Sequence, residues 1–301
     1  MPLRTVFMGT PEIAVPALRR LAERTTVSLV ITQPDRPSGR GLAPSPPPVK
    51  QAAIELGLPV WQPESMRGAE ADPRLANHDL FVVMAYGEIL RQPVLSLPRA
   101  CINLHASALP RWRGASPLQA CLRAGDAETA VCVMEMVPAL DAGPVYVSER
   151  ITLHPHTTLA QLHDQVASVA ADALDRFLGQ WPGIPAVPQD PALVTLCRKL
   201  TTADGRLNWA RSAEELERWV RAYTPAPGCW SPLGDDRLRI LQVAALPDRG
   251  LQPAAVRIED QRILVGCAGG TVELLRLQAP GRKAMGAADF LRGNRLPESL
   301  A

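Results

Sequence analysis

At 301 residues the chain is long enough for two domains, and 47% apolar residues with a net charge of only +2 exclude a disordered chain or a strong polyelectrolyte. No apolar run reaches the length of a membrane span, and Arg4 followed by one short strand, Gly9 and Pro11 is not a leader-peptide pattern. The six cysteines are scattered with no Cys-x-x-Cys pair, so they read as reduced core thiols of a cytoplasmic protein, not as metal ligands or a disulfide frame.

Of the 32 basic residues only Lys50, Lys199 and Lys283 are lysine. An excess of arginine suits phosphate recognition through the planar fork, and a biased genomic base composition produces the same excess.

Thr5–Met8 is a short apolar strand. Gly9-Thr10-Pro11 follows, with Thr10 as cap and Pro11 at the first position of a helix whose apolar face is Ile13, Leu18 and Leu21. This is the opening step of a doubly wound α/β sheet, without the Gly-x-Gly-x-x-Gly pattern of a dinucleotide site. Val27–Thr32 is the next strand. Gln33–Pro48 holds six prolines with Arg36 and Arg40 and reads as a long basic surface loop. Val49–Leu56 reads as a helix, and Pro59–Trp61 and Leu80–Ala85 as strands. Tyr86-Gly87 then stands where open α/β sheets bind ligands, beyond the carboxyl end of a strand.

Ala100–Leu104 is apolar except for Asn103, which suits a buried strand. Asn103 and His105 are two apart, so their side chains share a face. A carboxamide can hold a developing oxyanion and an imidazole can move a proton, a pairing suited to acyl chemistry. A structural histidine at a strand end gives the same pair. Pro110–Gly114 follows as a rigid basic loop, and Ser116-Pro117 opens a helix to Arg123. Ala130–Met136 and Val145–Ile151 are strands, antiparallel because the connection is too short for a crossover helix. Between them Leu140-Asp141-Ala142-Gly143 presents a carboxylate in a turn, a group that can orient a histidine. Thr158–Gln180 is the clearest amphipathic helix.

Pro182–Pro191 reads as an interdomain linker. Beyond it, Ala213–Ala222 is a short amphipathic helix. Leu238–Ala245, Ala254–Ile258, Ile263–Cys267 and Thr271–Leu277 are short strands, with Gly269-Gly270 as a hairpin turn. Residues 187–301 carry 16 basic against 13 acidic side chains and the residues before them 16 against 17, a skew in the direction nucleic-acid binding needs but a small one.

At Asn103-x-His105, the loop from Ser107 to Gly114, and Leu140-Asp141-x-Gly143, the chain resembles the formyltransferases that use 10-formyltetrahydrofolate. Pro34 to Gly41, Lys199-Leu200-Thr201 and Pro280 to Met285 narrow the resemblance to the branch that formylates methionyl-tRNA. The resemblance implies a doubly wound, Rossmann-like α/β formyltransferase domain (1–186), a linker (187–205) and a small OB-like β-barrel domain that binds tRNA (206–301). It implies Asn103, His105 and Asp141 as the catalytic set, acting through a tetrahedral intermediate. Ser107, Ala108, Leu109 and Pro110, with Tyr86, Gly87, Ile89 and Leu90, would shape the folate pocket. Arg36, Arg40, Lys50, Arg282 and Lys283 would meet RNA. 10-Formyltetrahydrofolate would be a consumed co-substrate, methionyl initiator tRNA the acceptor, no metal would be needed, and a cytoplasmic monomer is expected.

Three departures stand out: Leu42-Ala43 in place of a lysine pair, Ala139 in place of a glycine, and Pro144 in place of an aspartate. Arg111 and Arg113 could face the folate tail or the RNA. The rival readings are a formyltransferase acting on an amino sugar nucleotide or glycinamide ribotide, and, in another class, a non-catalytic RNA-binding protein.

Overall fold

The apolar runs of the first half form one seven-stranded sheet. Its strands are β1 (Arg4–Gly9), β2 (Thr26–Ile31), β3 (Val60–Trp61), β4 (Leu80–Met84), β5 (Ala100–His105), β6 (Glu128–Glu135) and β7 (Val145–Thr152). The computed structural model describes residues 2–37 and 44–301, so Arg40 lies outside the described residues. The spatial order is β7-β6-β5-β4-β1-β2-β3. β1 to β5 are parallel, and β6 runs antiparallel to both β5 and β7. β4, in the middle, is buried along its whole length, as a strand covered on both faces must be. Alternate residues Val6 and Met8, Leu29 and Ile31, Phe81 and Val83 feed one core cluster, the period-two pattern of side chains on one sheet face.

The chain winds from β1 outward to β3, then returns to the other side of β1 for β4. The topological switch point therefore lies at the carboxyl ends of β1 and β4, beside that of β5. Gly9 ends β1 with no room for a side chain: a Cβ there would sit 2.8 Å from the Phe7 ring and 3.0 Å from the Met84 carbonyl. Thr10 is not the helix cap that the sequence suggests. A short 3-10 turn (Glu12–Ala14) precedes α1 (Val15–Arg24), and the Thr10 hydroxyl donates to the Tyr86 carbonyl at 2.9 Å. That bond ties the first strand-to-helix turn to the end of β4.

α2 (Pro48–Glu55) starts with proline at its first position, and Arg19 of α1 reaches Glu55 at 2.6 Å. The amphipathic segment becomes α4 (Leu159–Gln180), after α3 (Pro117–Ala124). Its Phe177 meets Tyr146 of β7 edge-on at 5.2 Å. In the basic loop, Arg36–Pro37 pairs antiparallel with Pro44–Ser45.

By contact density the chain forms two compact units. The first comprises residues up to Pro117 with Glu128–Thr152 and His163–Cys197; the second comprises Leu118–Ala127, Leu153–Leu162 and Arg198–Ala301. The second unit holds an OB-like antiparallel sheet of β8 (Cys229–Leu233), β9 (Asp236–Leu246), β10 (Val256–Glu259), β11 (Arg262–Cys267) and β12 (Gly270–Gln278), in the order β8-β9-β12-β11-β10. β10 to β12 are consecutive hairpins and β9 lies beside β12, a Greek-key arrangement. β8 is not among the strands expected from sequence. Its Trp-Ser-Pro-Leu run contains a proline, which it tolerates at the edge of the sheet.

α5 (Ala213–Tyr223) carries a capping box between Ser212 and Glu215 and buries Leu216, Trp219, Val220 and Tyr223. α6 (Ala287–Gly293) buries Phe290. Among the described residues no helix is long and apolar enough to cross a membrane.

Candidate active site

The carboxyl end of β5 carries the two polar residues. Asn103 is opposite Met134 and His105 opposite Cys132 of β6. His105 is buried and Asn103 half-buried. Among the described residues the Asn103 carboxamide has no hydrogen-bond partner, which leaves its N–H groups free for an incoming oxygen.

Each ring nitrogen of His105 faces an acceptor. Nε2 is 3.1 Å from the Trp112 carbonyl, and because a carbonyl only accepts, Nε2 carries the hydrogen there. Nδ1 lies 3.7 Å from Asp141 Oδ2, within ion-pair range but too long for a hydrogen bond. The structure thus brings the imidazole and the carboxylate together from two separate segments, with Asn103 two residues before His105 on the same strand.

The loop after β5 is held by its own chemistry. The fully buried Ser107 donates its hydroxyl to the Arg111 carbonyl at 2.6 Å, closing the turn that contains Ala108, Leu109 and the cis-linked Pro110. Trp112 takes a left-handed φ of 60°, rare for a bulky residue, and its N–H donates to Thr195 Oγ1 at 2.8 Å. Arg111 stacks over the Trp112 ring at 4.4 Å.

Gly114 donates its N–H to Asp141 Oδ2 at 2.8 Å, so the carboxylate is aimed by backbone. Gly114 must be glycine: its φ is +121°, and a Cβ would fall 2.0 Å from the Cys197 carbonyl. Asp141 itself has a left-handed φ of 47°, which aspartate tolerates. Two residues on, a Cβ at Gly143 would lie 1.9 Å from the Glu135 carbonyl, so that loop also depends on a missing side chain.

The stretch after α4 closes on this loop. Val187 and Val145 exchange backbone hydrogen bonds of 2.8 Å, and Leu196–Cys197 pairs in parallel with Arg113–Gly114. Gln189 donates to the Asp141 and Gly143 carbonyls at 2.9 and 2.7 Å and accepts from Arg113 Nε at 3.0 Å. Sequence reasoning missed Gln189 and Thr195, because a proline-rich stretch reads as linker. An amide among prolines and alanines was the only signal.

The remaining expected residues are placed as follows. Tyr86 and Leu90 belong to the core cluster, and burial pushes the Tyr86 phenol up. Gly87, at a left-handed φ of 94°, and Ile89, 77% exposed, stand at the surface beyond β4. Lys50 is bound to both oxygens of Asp35 at 2.8 Å, which holds that carboxyl below its usual range. Arg36 is exposed and, among the described residues, reaches Gln33 at 3.4 Å. Arg282 and Lys283 are exposed in the turn around Gly281, and among the described residues neither has a carboxylate within ion-pair distance. Among the described residues no group of three or more histidine, cysteine, aspartate or glutamate side chains is placed to hold a metal ion.

Comparison with known proteins bears on this geometry. The sequence profile of the formyl transferase family matches residues 3–178, and that of the formyl transferase C-terminal domain matches residues 199–295. The methionyl-tRNA formyltransferase of Methylobacillus flagellatus is 44% identical over 98% of this chain and 97% of its own length. That of Xanthomonas axonopodis pv. citri is 45% identical over 97% and 98%.

Among solved structures, an N-formyltransferase from Helicobacter canadensis, in complex with folinic acid and dTDP-3-aminofucose, superposes with a TM-score of 0.68 at 14% identity, over 91% of this chain and 99% of that one. HypX from Aquifex aeolicus in complex with tetrahydrofolic acid superposes with a TM-score of 0.62 at 15% identity; 97% of this chain covers 47% of HypX, about half its length. At those identities the structural likeness speaks for the fold alone. Near-full-length identity above 40% to curated relatives, together with both matched domains, makes this chain a member of the methionyl-tRNA formyltransferase family.

Proposed function

We propose that this chain transfers a formyl group from 10-formyltetrahydrofolate to the α-amine of methionyl initiator tRNA. The observation that supports the reading is the approach of a backbone-aimed carboxylate to a buried imidazole at the carboxyl end of β5, the strand that also carries the Asn103 carboxamide two residues earlier. The folate co-substrate, consumed in each turnover, supplies the formyl carbon. The chain's residues handle the charge and the proton.

Asn103 donates to the formyl oxygen as it gains negative charge, a role supported by N–H groups that have no partner among the described residues. His105, fixed through Nε2 to Trp112, presents Nδ1 to Asp141, and the pair takes the proton leaving the attacking nitrogen, directly or through water. The bond from the formyl carbon to folate nitrogen then breaks, and that nitrogen receives a proton. Ser107 to Pro110, with Gly87 and Ile89, supply the wall of the folate pocket. Arg36, Arg40, Arg282 and Lys283 supply cations for RNA phosphates.

The test mixes purified protein, 10-formyltetrahydrofolate and charged initiator tRNA, and follows formyl on methionine. His105→Ala and Asp141→Ala each lower kcat by about 10²-fold or more, the usual worth of a positioned acid–base group. Formylation of an amino sugar nucleotide without formylation of charged tRNA overturns the acceptor assignment.

A further inference from the structure

We infer that Gln189 is a positioning residue for the transfer reaction, acting through Asp141. The inference rests on the functional reading above and adds a residue from outside the loops that carry the candidate catalytic groups. Gln189 is half-buried in a stretch whose neighbours Val187, Pro188 and Asp190 are exposed. It contributes little to a core, and its place is set by hydrogen bonds.

Its amide nitrogen has two hydrogens, and both are used: one goes to the Asp141 carbonyl at 2.9 Å and one to the Gly143 carbonyl at 2.7 Å. Those two carbonyls flank Ala142, so one side chain fixes the two peptide planes of the turn that presents the carboxylate. Its amide oxygen accepts from Arg113 Nε at 3.0 Å. The next residue, Gly114, donates its N–H to Asp141 Oδ2 at 2.8 Å. The result is a closed ring from Asp141 carboxylate to Gly114, through Arg113 to Gln189, and back to the Asp141 carbonyl.

The ring matters because the turn is otherwise weakly held. Asp141 sits at a left-handed φ of 47°; the base of the loop is closed by Glu135 N–H on the Pro144 carbonyl at 2.9 Å, but the backbone bond inside the turn, from Ala142 N–H to the Ala139 carbonyl, is 3.3 Å long. The sequence departures at Ala139 and Pro144 fall on the same turn. Oδ2 stands 3.7 Å from His105 Nδ1, so a small rotation of the turn decides whether the carboxylate meets the imidazole. Only a side-chain amide of this length supplies two donors and one acceptor at once: glutamate has the acceptor without the donors, and lysine the donors without the acceptor.

The experiment compares Gln189→Ala and Gln189→Glu with the unaltered protein in formyl transfer to charged tRNA, at a temperature well below the measured Tm of each. A misaimed carboxylate lowers kcat about tenfold and leaves KM for both substrates within about twofold. Gln189→Glu keeps the bond to Arg113 and loses both donated bonds, so it falls as far as Gln189→Ala. Added to Asp141→Asn, the Gln189→Ala change costs less than about twofold, because the group it aims is already gone.

A Gln189→Glu variant as active as the unaltered protein overturns the inference, since only the tie to Arg113 then mattered. A loss confined to KM, or the same loss with and without Asp141→Asn, also overturns it. If the unaltered protein formylates no charged tRNA, the functional reading itself fails, a result distinct from any of these.

Discussion

Asp141 is aimed by a backbone N–H, and that N–H exists where it does because residue 114 has no side chain. Gly114→Ala places a Cβ 2.0 Å from the Cys197 carbonyl at a φ of +121°, so the short pairing of Arg113–Gly114 with Leu196–Cys197 must open. The expected cost is about 2–3 kcal/mol of stability, read as a shift in the urea midpoint, with a fall in kcat beyond what the unfolded fraction explains. Gly281→Ala is the control: its φ of +65° is also left-handed, but nothing lies within 4 Å, and the expected loss is about 1 kcal/mol with kcat unchanged.

The site was partly legible at this scale. Period-two alternation alone puts Asn103 and His105 on one face. That Asp141 reaches His105, or that Trp112 turns its carbonyl back onto the ring, depends on contacts set by a left-handed tryptophan, two glycines without room for a Cβ and a glutamine from a distant segment. No local propensity encodes those.

The sheet elements were more legible than the turns between them. Apolar runs marked every strand of the parallel core. The hydroxyl of Thr10, a good cap by type, was diverted to the Tyr86 carbonyl by the packing of β1 against β4. One buried group makes the element scale testable by pH. His78 precedes β4; its Nε2 meets Ser28 Oγ of β2 at 2.6 Å and its Nδ1 the Leu75 carbonyl at 3.1 Å. Burial lowers its pKa from the ordinary 6.5, Arg4 adds to the lowering, and the Leu75 carbonyl and Asp79 oppose it.

The folded chain therefore holds His78 neutral while the unfolded chain binds the proton. Its stabilising effect is fully present above about pH 6.5 and is lost as pH falls below that value toward the folded-state pKa. Urea midpoints at pH 7.5 and about 5.5 should drop more for the unaltered protein than for His78→Gln, and the difference isolates His78 from the other histidines. Equal drops would mean that His78 is protonated in the fold.

Over the whole molecule the charge is nearly balanced, so RNA affinity must come from where cations are free, not from how many there are. Composition revealed the balance but not the pairing. Lys50, beside the basic loop, is neutralised by Asp35 on both oxygens, whereas Arg282 and Lys283 at the turn after β12 face solvent without a carboxylate among the described residues. Composition likewise shows a proline-rich middle stretch, but not that Thr195 and Cys197, just after it, accept backbone bonds from Arg113 and Ala115.

The unequal pairing has a measurable consequence. Each phosphate neutralised by a free cation contributes about one unit to the slope of log affinity against log salt. Arg282→Ala with Lys283→Ala should flatten that slope for charged tRNA by about two units and weaken binding at low salt. Lys50→Ala should flatten it by well under one unit, because the ammonium already has its counter-charge and would have to leave Asp35 to reach a phosphate. Fluorescence anisotropy of labelled tRNA between about 50 and 200 mM salt measures both slopes. An unchanged slope in the double variant would remove the turn after β12 from the RNA contact, and a full unit lost with Lys50 would mean that RNA binding breaks its pair with Asp35.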